Sequence, residues 1–204
     1  MPNSAAPRQR DRSATEAAII SAAERLLVAQ GWTALNVQTL AAEAGVDRKL
    51  IYRYFDGVDG VVERLAARLD LWLGDALAQA PATTATHYRE FVRESLIAYL
   101  RALRANPLLL RLLAWELTQD SPLLRRLEAS RSQVMQAWVA SRRPHLAPPQ
   151  QIDGVAMNVV LLAAVQHLAL AGGARGAFGG VALDEAGWLR IEASLDRLTQ
   201  AYPD

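Results

Sequence analysis

The chain has 204 residues, of which 51% are hydrophobic and none is cysteine, and its formal net charge at pH 7 is +1. This length and composition allow a sizeable core and exclude disulfides and thiolate metal sites. Because the chain as a whole is not a polycation, any binding to nucleic acid must come from a local basic surface.

The N-terminal segment is polar and carries Arg8, Arg10 and Arg12. Its composition predicts a flexible basic arm over residues 1–12, which is either a solvated tail or an additional contact to DNA. It also lacks the continuous apolar stretch of a signal peptide, so we expect a cytoplasmic protein.

The first predicted helix begins at about residue 13. Ser13 followed by Glu16 has the spacing of a capping box, and Thr15 is a rival cap. Apolar residues then recur every three or four positions, as on one face of a helix, until Gly31 ends the helix.

Two short helices are predicted next. Asn36 is expected to cap a helix over residues 37–44, Gly45 to close it, and Asp47 to cap a third helix that runs through residue 54 or 55. Two short helices joined by a tight turn that contains glycine form a helix-turn-helix.

The rest of the chain is also predicted to be helical. Gly57 and Gly60 mark a joint, and no segment has the alternation of a strand with hairpin turns. The helical segments are bounded by proline, glycine or polar clusters and cover residues 61–80, 87–105, 107–118, 122–141, 150–171 and 184–198. With a glycine-rich loop over residues 172–180, the prediction is an all-α fold of about nine helices.

One segment, residues 155–171, is apolar enough to raise the question of a membrane span. It is at the short limit for a spanning helix and carries Asn158, Gln166 and His167, each of which is costly in hydrocarbon. We therefore interpret it as an interior or interface helix and expect no membrane contact.

The third helix has two chemically different faces. Ile51 and Phe55 are expected to pack in the small core, together with Val46 from the preceding turn. The opposite face carries four side chains that can reach phosphates and base edges in the DNA major groove: Arg48, Lys49, Tyr52 and Arg53.

This stretch resembles the TetR family of repressors. The resemblance is carried by Gly31, by the sequence from Leu40 to Val46 and by the sequence from Ile51 to Phe55, in a helical frame of matching length. It implies an N-terminal three-helix DNA-binding domain over residues 13–57, followed by a helical ligand-binding and dimerisation domain over residues 58–204. It also implies a homodimeric repressor that a small molecule releases from a near-palindromic DNA operator.

The resemblance also implies which side chains meet DNA. These residues, on the second and third helices, are Asn36, Gln38, Arg48, Lys49, Leu50, Tyr52, Arg53 and Tyr54. The sequence departs from the family pattern twice, because Leu50 replaces a common threonine and Val58 replaces a common lysine. Both departures remove a polar contact to DNA.

The last two helices are apolar enough to need a partner. Two copies of such a pair make a four-helix bundle, which predicts a homodimer, whereas the alternative is burial of both helices within one subunit. In the resembling family the C-terminal helices also bind a small molecule. Aromatic, polar and apolar residues in these helices are candidates for lining an effector site: Trp72, Tyr99, Leu103, Leu113, Trp115, Glu116, Met135, Trp138, Asn158 and His167. Their predominantly apolar character predicts a largely hydrophobic effector.

Catalysis is not expected. The chain has three histidines, His87, His145 and His167, on separate segments, and no glycine loop in a context that cradles phosphate. We therefore expect neither an enzyme, nor a metal site, nor a cofactor. The remaining rival is a helical ligand carrier that does not bind DNA, which would be indifferent to substitution of Arg48 and Lys49.

Overall fold

The structure, a computed structural model, describes residues 5–142 and 146–203. Within these ranges the chain forms nine α-helices: α1 Ala5–Gln30, α2 Val37–Ala44, α3 Arg48–Phe55, α4 Val58–Ala78, α5 Tyr88–Ala105, α6 Pro107–Glu116, α7 Pro122–Arg142, α8 Gly154–Arg175 and α9 Glu185–Thr199. A 3-10 turn at Trp32–Ala34 precedes α2. The predicted all-α fold is confirmed.

The first helix begins earlier than predicted, and residues 5–12 of the expected arm are helical. The polar side chains that were expected to cap the start of a helix near Ser13 make contacts within α1 instead. Thr15 donates its hydroxyl to the carbonyl of Asp11 at 2.7 Å, and Glu16 pairs with Arg12 at 2.7 Å. Both are contacts between residues four apart, which only a continuing helix brings together. Residues 1–4 of the predicted arm lie outside the described residues.

The helix-turn-helix has the boundaries that its capping residues predict. The Oδ1 atom of Asn36 accepts hydrogen bonds from the backbone N–H groups of Gln38 and Thr39, at 3.0 and 3.1 Å. Gly45 ends α2 in the left-handed conformation, with φ +67°. The carboxylate of Asp47 accepts from the N–H of Lys49 at 2.8 Å and begins α3.

The joint between α3 and α4 is tighter than predicted. Gly57 lies in the turn with φ +110°, but Gly60 belongs to the first turn of α4 rather than to a loop. A Cβ atom at Gly60 would lie 2.8 Å from the carbonyl carbon of Phe55 and closer still to its oxygen. Glycine at position 60 therefore lets α4 start directly against the end of α3.

The chain divides into two compact units. One unit runs up to Leu71 and includes Trp115–Ala129, and the other comprises Trp72–Ala114 and the residues from Ser130 onward. Helix α4 thus contributes to both units, whereas the sequence placed a single division near residue 58. The core of the second unit is formed by the apolar faces of α5 and α6 with parts of α4, α7, α8 and α9.

The expected glycine-rich loop after α8 is largely structured. Gly172 and Gly173 lie within α8, where added Cβ atoms would come within 2.6 Å of Trp188 and 2.9 Å of Leu110. A small antiparallel hairpin follows, with strands Ala177–Phe178 and Val181–Ala182. The expectation of no strand is wrong here because two-residue strands are too short to show alternation in sequence.

Helix α8 is shifted by four residues at each end from the predicted range, because Asp153 caps it by accepting the N–H of Ala156 at 2.9 Å. By length and composition alone it could cross a membrane, although one such helix is weak evidence. Its outer face leaves Val155, Val159 and Val160 between 60% and 69% exposed.

Candidate nucleic-acid interface and ligand cavity

The third helix presents the two faces that the sequence predicts. Ile51 is fully buried and Phe55 nearly so, and they attach α3 to the small core. The other face is exposed and carries Arg48, Lys49, Tyr52 and Arg53. The helix is therefore fixed by its apolar side while its basic and aromatic side faces solvent.

Ion pairs elsewhere in the N-terminal unit hold its helices together. Arg25 of α1 pairs with Glu43 of α2 at 2.6 Å, and Arg68 of α4 pairs with Glu24 of α1 at 3.0 Å. In contrast, Arg48 and Lys49 have no ion pair with the described residues. Their charges are available to an external anion such as DNA phosphate.

Asn36 and Gln38 lie exposed at the start of α2, where the sequence predicted phosphate contacts. The side chain of Asn36 is already engaged, since its Oδ1 atom caps α2 and its Nδ2 group donates to the carbonyl of Ala34 at 3.4 Å. The first role of Asn36 is thus to fix the start of α2. Gln38 has no such task in the described structure and projects from the exposed side of the helix.

Arg12 joins the same surface through a contact with Tyr54 that the sequence did not reveal. Its guanidinium lies 5.1 Å from the ring centre of Tyr54, and that of Arg53 lies 5.9 Å from the same ring. The hydrogen bond from Arg12 to Glu16 raises the pKa of Arg12 above its ordinary value. The contact between Arg12 and Tyr54 was not predicted because a flexible arm, rather than a helix, was expected at Arg12.

The two departures from the family pattern lie at the edge of this surface. Leu50 and Val58 are half-buried, so each contributes to packing rather than presenting a polar group to solvent. Tyr54 is also half-buried, beneath the two arginines.

Four of the residues predicted for the effector site lie elsewhere. Trp115 stacks on Trp32 in the N-terminal unit, with ring centres 3.8 Å apart, and Glu116 follows it at the end of α6. Leu103 is fully buried in the core of the second unit, and Leu113 of α6 is buried there as well. Aromatic and apolar residues at helical spacing have the same sequence pattern whether they line a cavity or fill a core.

Four other predicted residues meet around one cavity of about 400 Å³ in the second unit. They are Tyr99 of α5, Met135 and Trp138 of α7, and Asn158 of α8. Most of the remaining wall comes from one face of α5, and the residues that the sequence did not single out there are Tyr88, Phe91, Val92, Ser95 and Leu96. The spacing of three and four residues between them places them on one helix face, and this was the sequence signal that could have identified them.

Most polar groups in the wall have partners within the protein. Asn158 donates to the hydroxyl of Tyr88 and accepts from that of Tyr202, both at 2.7 Å. Tyr99 donates to Gln166 at 3.0 Å, and Trp138 donates to the carbonyl of Leu77 at 2.9 Å. Burial raises the pKa of Tyr202 to about 12, so this phenol stays protonated to well above pH 10.

Trp72 lines a different and more polar hollow of about 870 Å³ between α4, α5 and the end of α7. Its cations are engaged by the protein: Arg101 binds Glu192 through two hydrogen bonds of 2.6 and 3.1 Å, and Arg93 lies 3.4 Å from Asp196. The last predicted residue, His167, is exposed beside Phe178. Within the described residues, no cluster of histidine and acidic side chains could hold a metal ion.

Residues 19–65 match the model of the family described as bacterial regulatory proteins, tetR family. No curated protein matches the chain in sequence. Among solved structures, a TetR family transcription regulator from Marinobacter aquaeolei is 18% identical, with 97% of this chain and 99% of that chain covered and a TM-score of 0.63.

Two further structures share the fold. A transcriptional regulator from Rhodococcus sp. is 16% identical over 92% of this chain and 95% of its own, with a TM-score of 0.68. The fatty acid degradation regulator from Bacillus halodurans is 16% identical over 91% of this chain and 94% of its own, with a TM-score of 0.61.

Fold and surface together define a helix-turn-helix DNA-binding protein with a helical C-terminal region. Residues 19–65 match the TetR-family model of bacterial regulatory proteins, and the chain as a whole shares the fold of TetR-family transcription regulators. The family and these structural neighbours are regulators of transcription rather than enzymes.

Proposed function

We propose that the protein is a cytoplasmic, ligand-responsive repressor of transcription. It binds a near-palindromic DNA operator as a homodimer and is released by a small, largely hydrophobic effector, without enzymatic activity of its own. The observation that carries the proposal is the exposed basic face of α3, where Arg48 and Lys49 lack ion pairs with the described residues. A major-groove helix needs such a face.

The exposed apolar residues on the outer face of α8 support the proposal of a homodimer. Val155, Val159 and Val160 form an exposed apolar row on α8, and Leu189 and Leu198 of α9 are 65% and 55% exposed. Large apolar side chains left exposed on two helices in this way are uncommon on a monomer and are typical of a subunit interface. A partner that covers it with the same two helices would complete a four-helix bundle.

A test of the interface uses two valines of similar exposure. Val159→Glu places a charge in the proposed interface, whereas Val28→Glu places one on α1, where Val28 is 49% exposed. We expect sedimentation to show dimers for the wild type and Val28→Glu, and monomers for Val159→Glu. A dimeric Val159→Glu protein would contradict this interface.

The cavity supports the proposal that an effector releases the DNA, because its wall connects directly to α4. Trp138 lines the cavity and donates to the carbonyl of Leu77 in the last turn of α4. Helix α4 continues to Val58, next to the recognition helix α3. An effector that displaces Trp138 would shift α4 and change the spacing of the two recognition helices in the dimer. By thermodynamic linkage, bound DNA must then weaken effector binding by the same factor.

The apolar character of the effector has support from a neighbour as well as from the wall. The Bacillus halodurans structure is named as a regulator of fatty acid degradation. This chain shares its fold and has a cavity lined mainly by aromatic and aliphatic side chains.

The test of the function is footprinting of the purified protein on DNA upstream of its own gene. We expect a protected near-palindrome whose half-sites lie about 34–36 Å apart, or a multiple of that distance, because two recognition helices must enter successive major grooves. Absence of any protected site at moderate salt would argue for a ligand carrier instead.

A further inference from the structure

The cavity between α5, α7 and α8 has an uncharged wall. None of the residues that line it is acidic or basic. Glu94, the neighbour of a lining residue in sequence, lines the more polar hollow and lies 4.0 Å from Arg142. An ionic group carried into the cavity would lose its water and find no opposite charge, which strongly disfavours binding.

One polar atom in this wall lacks a partner. The Oγ atom of Ser95 is buried and has no hydrogen-bond partner in the described structure. The other polar groups near it, on Tyr99, Trp138 and Asn158, are bonded within the protein. A buried hydroxyl without a partner is unfavourable, and a molecule in the cavity can supply the missing hydrogen bond.

The remaining wall favours a ring system. Tyr88, Phe91, Tyr99 and Trp138 contribute aromatic surfaces, which pack well against other rings. The volume of about 400 Å³ accommodates a molecule of a few fused rings. The mouth includes Gln136 and Leu162, which are exposed.

We propose that this cavity binds an uncharged, ring-containing molecule with one oxygen or nitrogen atom that forms a hydrogen bond with the Oγ of Ser95. The inference rests on the proposed effector function of the same cavity and adds the chemical class of the effector. It excludes carboxylates and amines that would have to carry their charge into the cavity.

The experiment is isothermal titration calorimetry with three probes that share one ring skeleton: 2-naphthol, 2-naphthoate and naphthalene. We expect 2-naphthol to bind most tightly, naphthalene about tenfold less tightly for want of the hydrogen bond, and 2-naphthoate more weakly than either. Naphthoate binding as tight as that of naphthol, or failure of all three probes to bind, would overturn the inference.

Variants of Ser95 locate the hydrogen bond. Ser95→Ala should weaken naphthol binding about tenfold and leave naphthalene binding unchanged, while Ser95→Thr retains the hydroxyl and the preference for naphthol. Ser132→Ala, at an exposed position of α7, is the matched control and should bind all probes as the wild type does. Because Ser95→Ala removes an unsatisfied group, its melting temperature should not fall. Unchanged naphthol binding by folded Ser95→Ala would contradict the assignment of the hydrogen bond to Ser95.

Release from DNA distinguishes this inference from the proposed function. If naphthol binds through Ser95 but leaves the operator complex intact, the chemistry of the cavity stands and release by an effector at this site is wrong. If naphthoate binds tightly and releases the DNA, the repressor function stands and the inference of an uncharged ligand is wrong.

Discussion

Gly60 gives the sharpest prediction about how the DNA-binding unit is held together. In Gly60→Ala the new Cβ atom would lie 2.8 Å from the carbonyl carbon of Phe55, and real Cβ atoms essentially never come within 3.0 Å of a neighbour. The obstacle is backbone at the end of α3 and cannot rotate away. Relief requires α3 and α4 to separate by roughly 1 Å, and overpacking of this kind costs about 1–3 kcal/mol.

A matched substitution in the same helix isolates that cost. At Gly74 a Cβ atom would meet only Val134, at an ordinary contact distance of 3.6 Å. Gly74→Ala should therefore gain the helix preference of alanine, about 0.5–1 kcal/mol. Since 1 kcal/mol corresponds to about 2–4 °C in a chain of this size, the two variants should differ in melting temperature by roughly 5–10 °C, with Gly60→Ala the lower.

Thermal unfolding followed by circular dichroism measures this difference, and operator binding at 25 °C measures its effect on the recognition helix. We expect folded Gly60→Ala to bind operator more weakly than Gly74→Ala, because the end of α3 has moved. A Gly60→Ala protein as stable as Gly74→Ala would refute the close approach of the two helices.

Three further substitutions test the caps, the surface and the buried phenol. Asn36→Ala should cost about 1 kcal/mol of stability by removing the cap of α2, whereas Gln38→Ala should leave the melting temperature nearly unchanged. Arg12→Ala should weaken operator binding about fivefold or more, counted over both subunits, by removing the cation beside Tyr54; unchanged affinity would leave Arg12 a structural role only. Because the pKa of Tyr202 is raised from 10.0 to about 12, its stabilising effect is complete below pH 10 and is lost as the pH rises towards 12. Chemical unfolding at pH 9 and 11.5 should show a smaller loss of stability in Tyr202→Phe than in the wild type. An equal loss in the two proteins would contradict the attribution of the raised pKa to burial of Tyr202.

The helix-turn-helix could be predicted from sequence because its determinants are local. Asn36, Gly45 and Asp47 each act on backbone groups within a few residues, so the sequence contains the whole cause. The start of α1 was misplaced because Ser13 and Glu16 match a capping box equally well when they lie within a helix. The contacts in the structure distinguish a helix start from a helix interior: Glu16 pairs with Arg12, and Thr15 bonds to Asp11.

The effector cavity was only partly predictable because it depends on contacts between distant segments. Asn158 was recognised as a polar residue in an apolar helix, but its partners Tyr88 and Tyr202 lie 70 and 44 residues away. Ser95 has no feature in the sequence that separates it from an ordinary surface serine. Trp115 was placed in the cavity on its aromatic character, and its stacking on Trp32 depends on the tertiary fold.

The central claim is that α3 reads DNA through its exposed basic face, and the salt dependence of operator binding tests it most directly. The double variant Arg48→Ala/Lys49→Ala should lose at least tenfold in affinity, and its plot of log K against log salt should flatten by about 2–4 per dimer. The control Arg104→Ala/Arg111→Ala removes the same charge from exposed positions on α5 and α6 and should keep both the wild-type affinity and the slope. Equal affinity and slope for the two double variants would contradict the account.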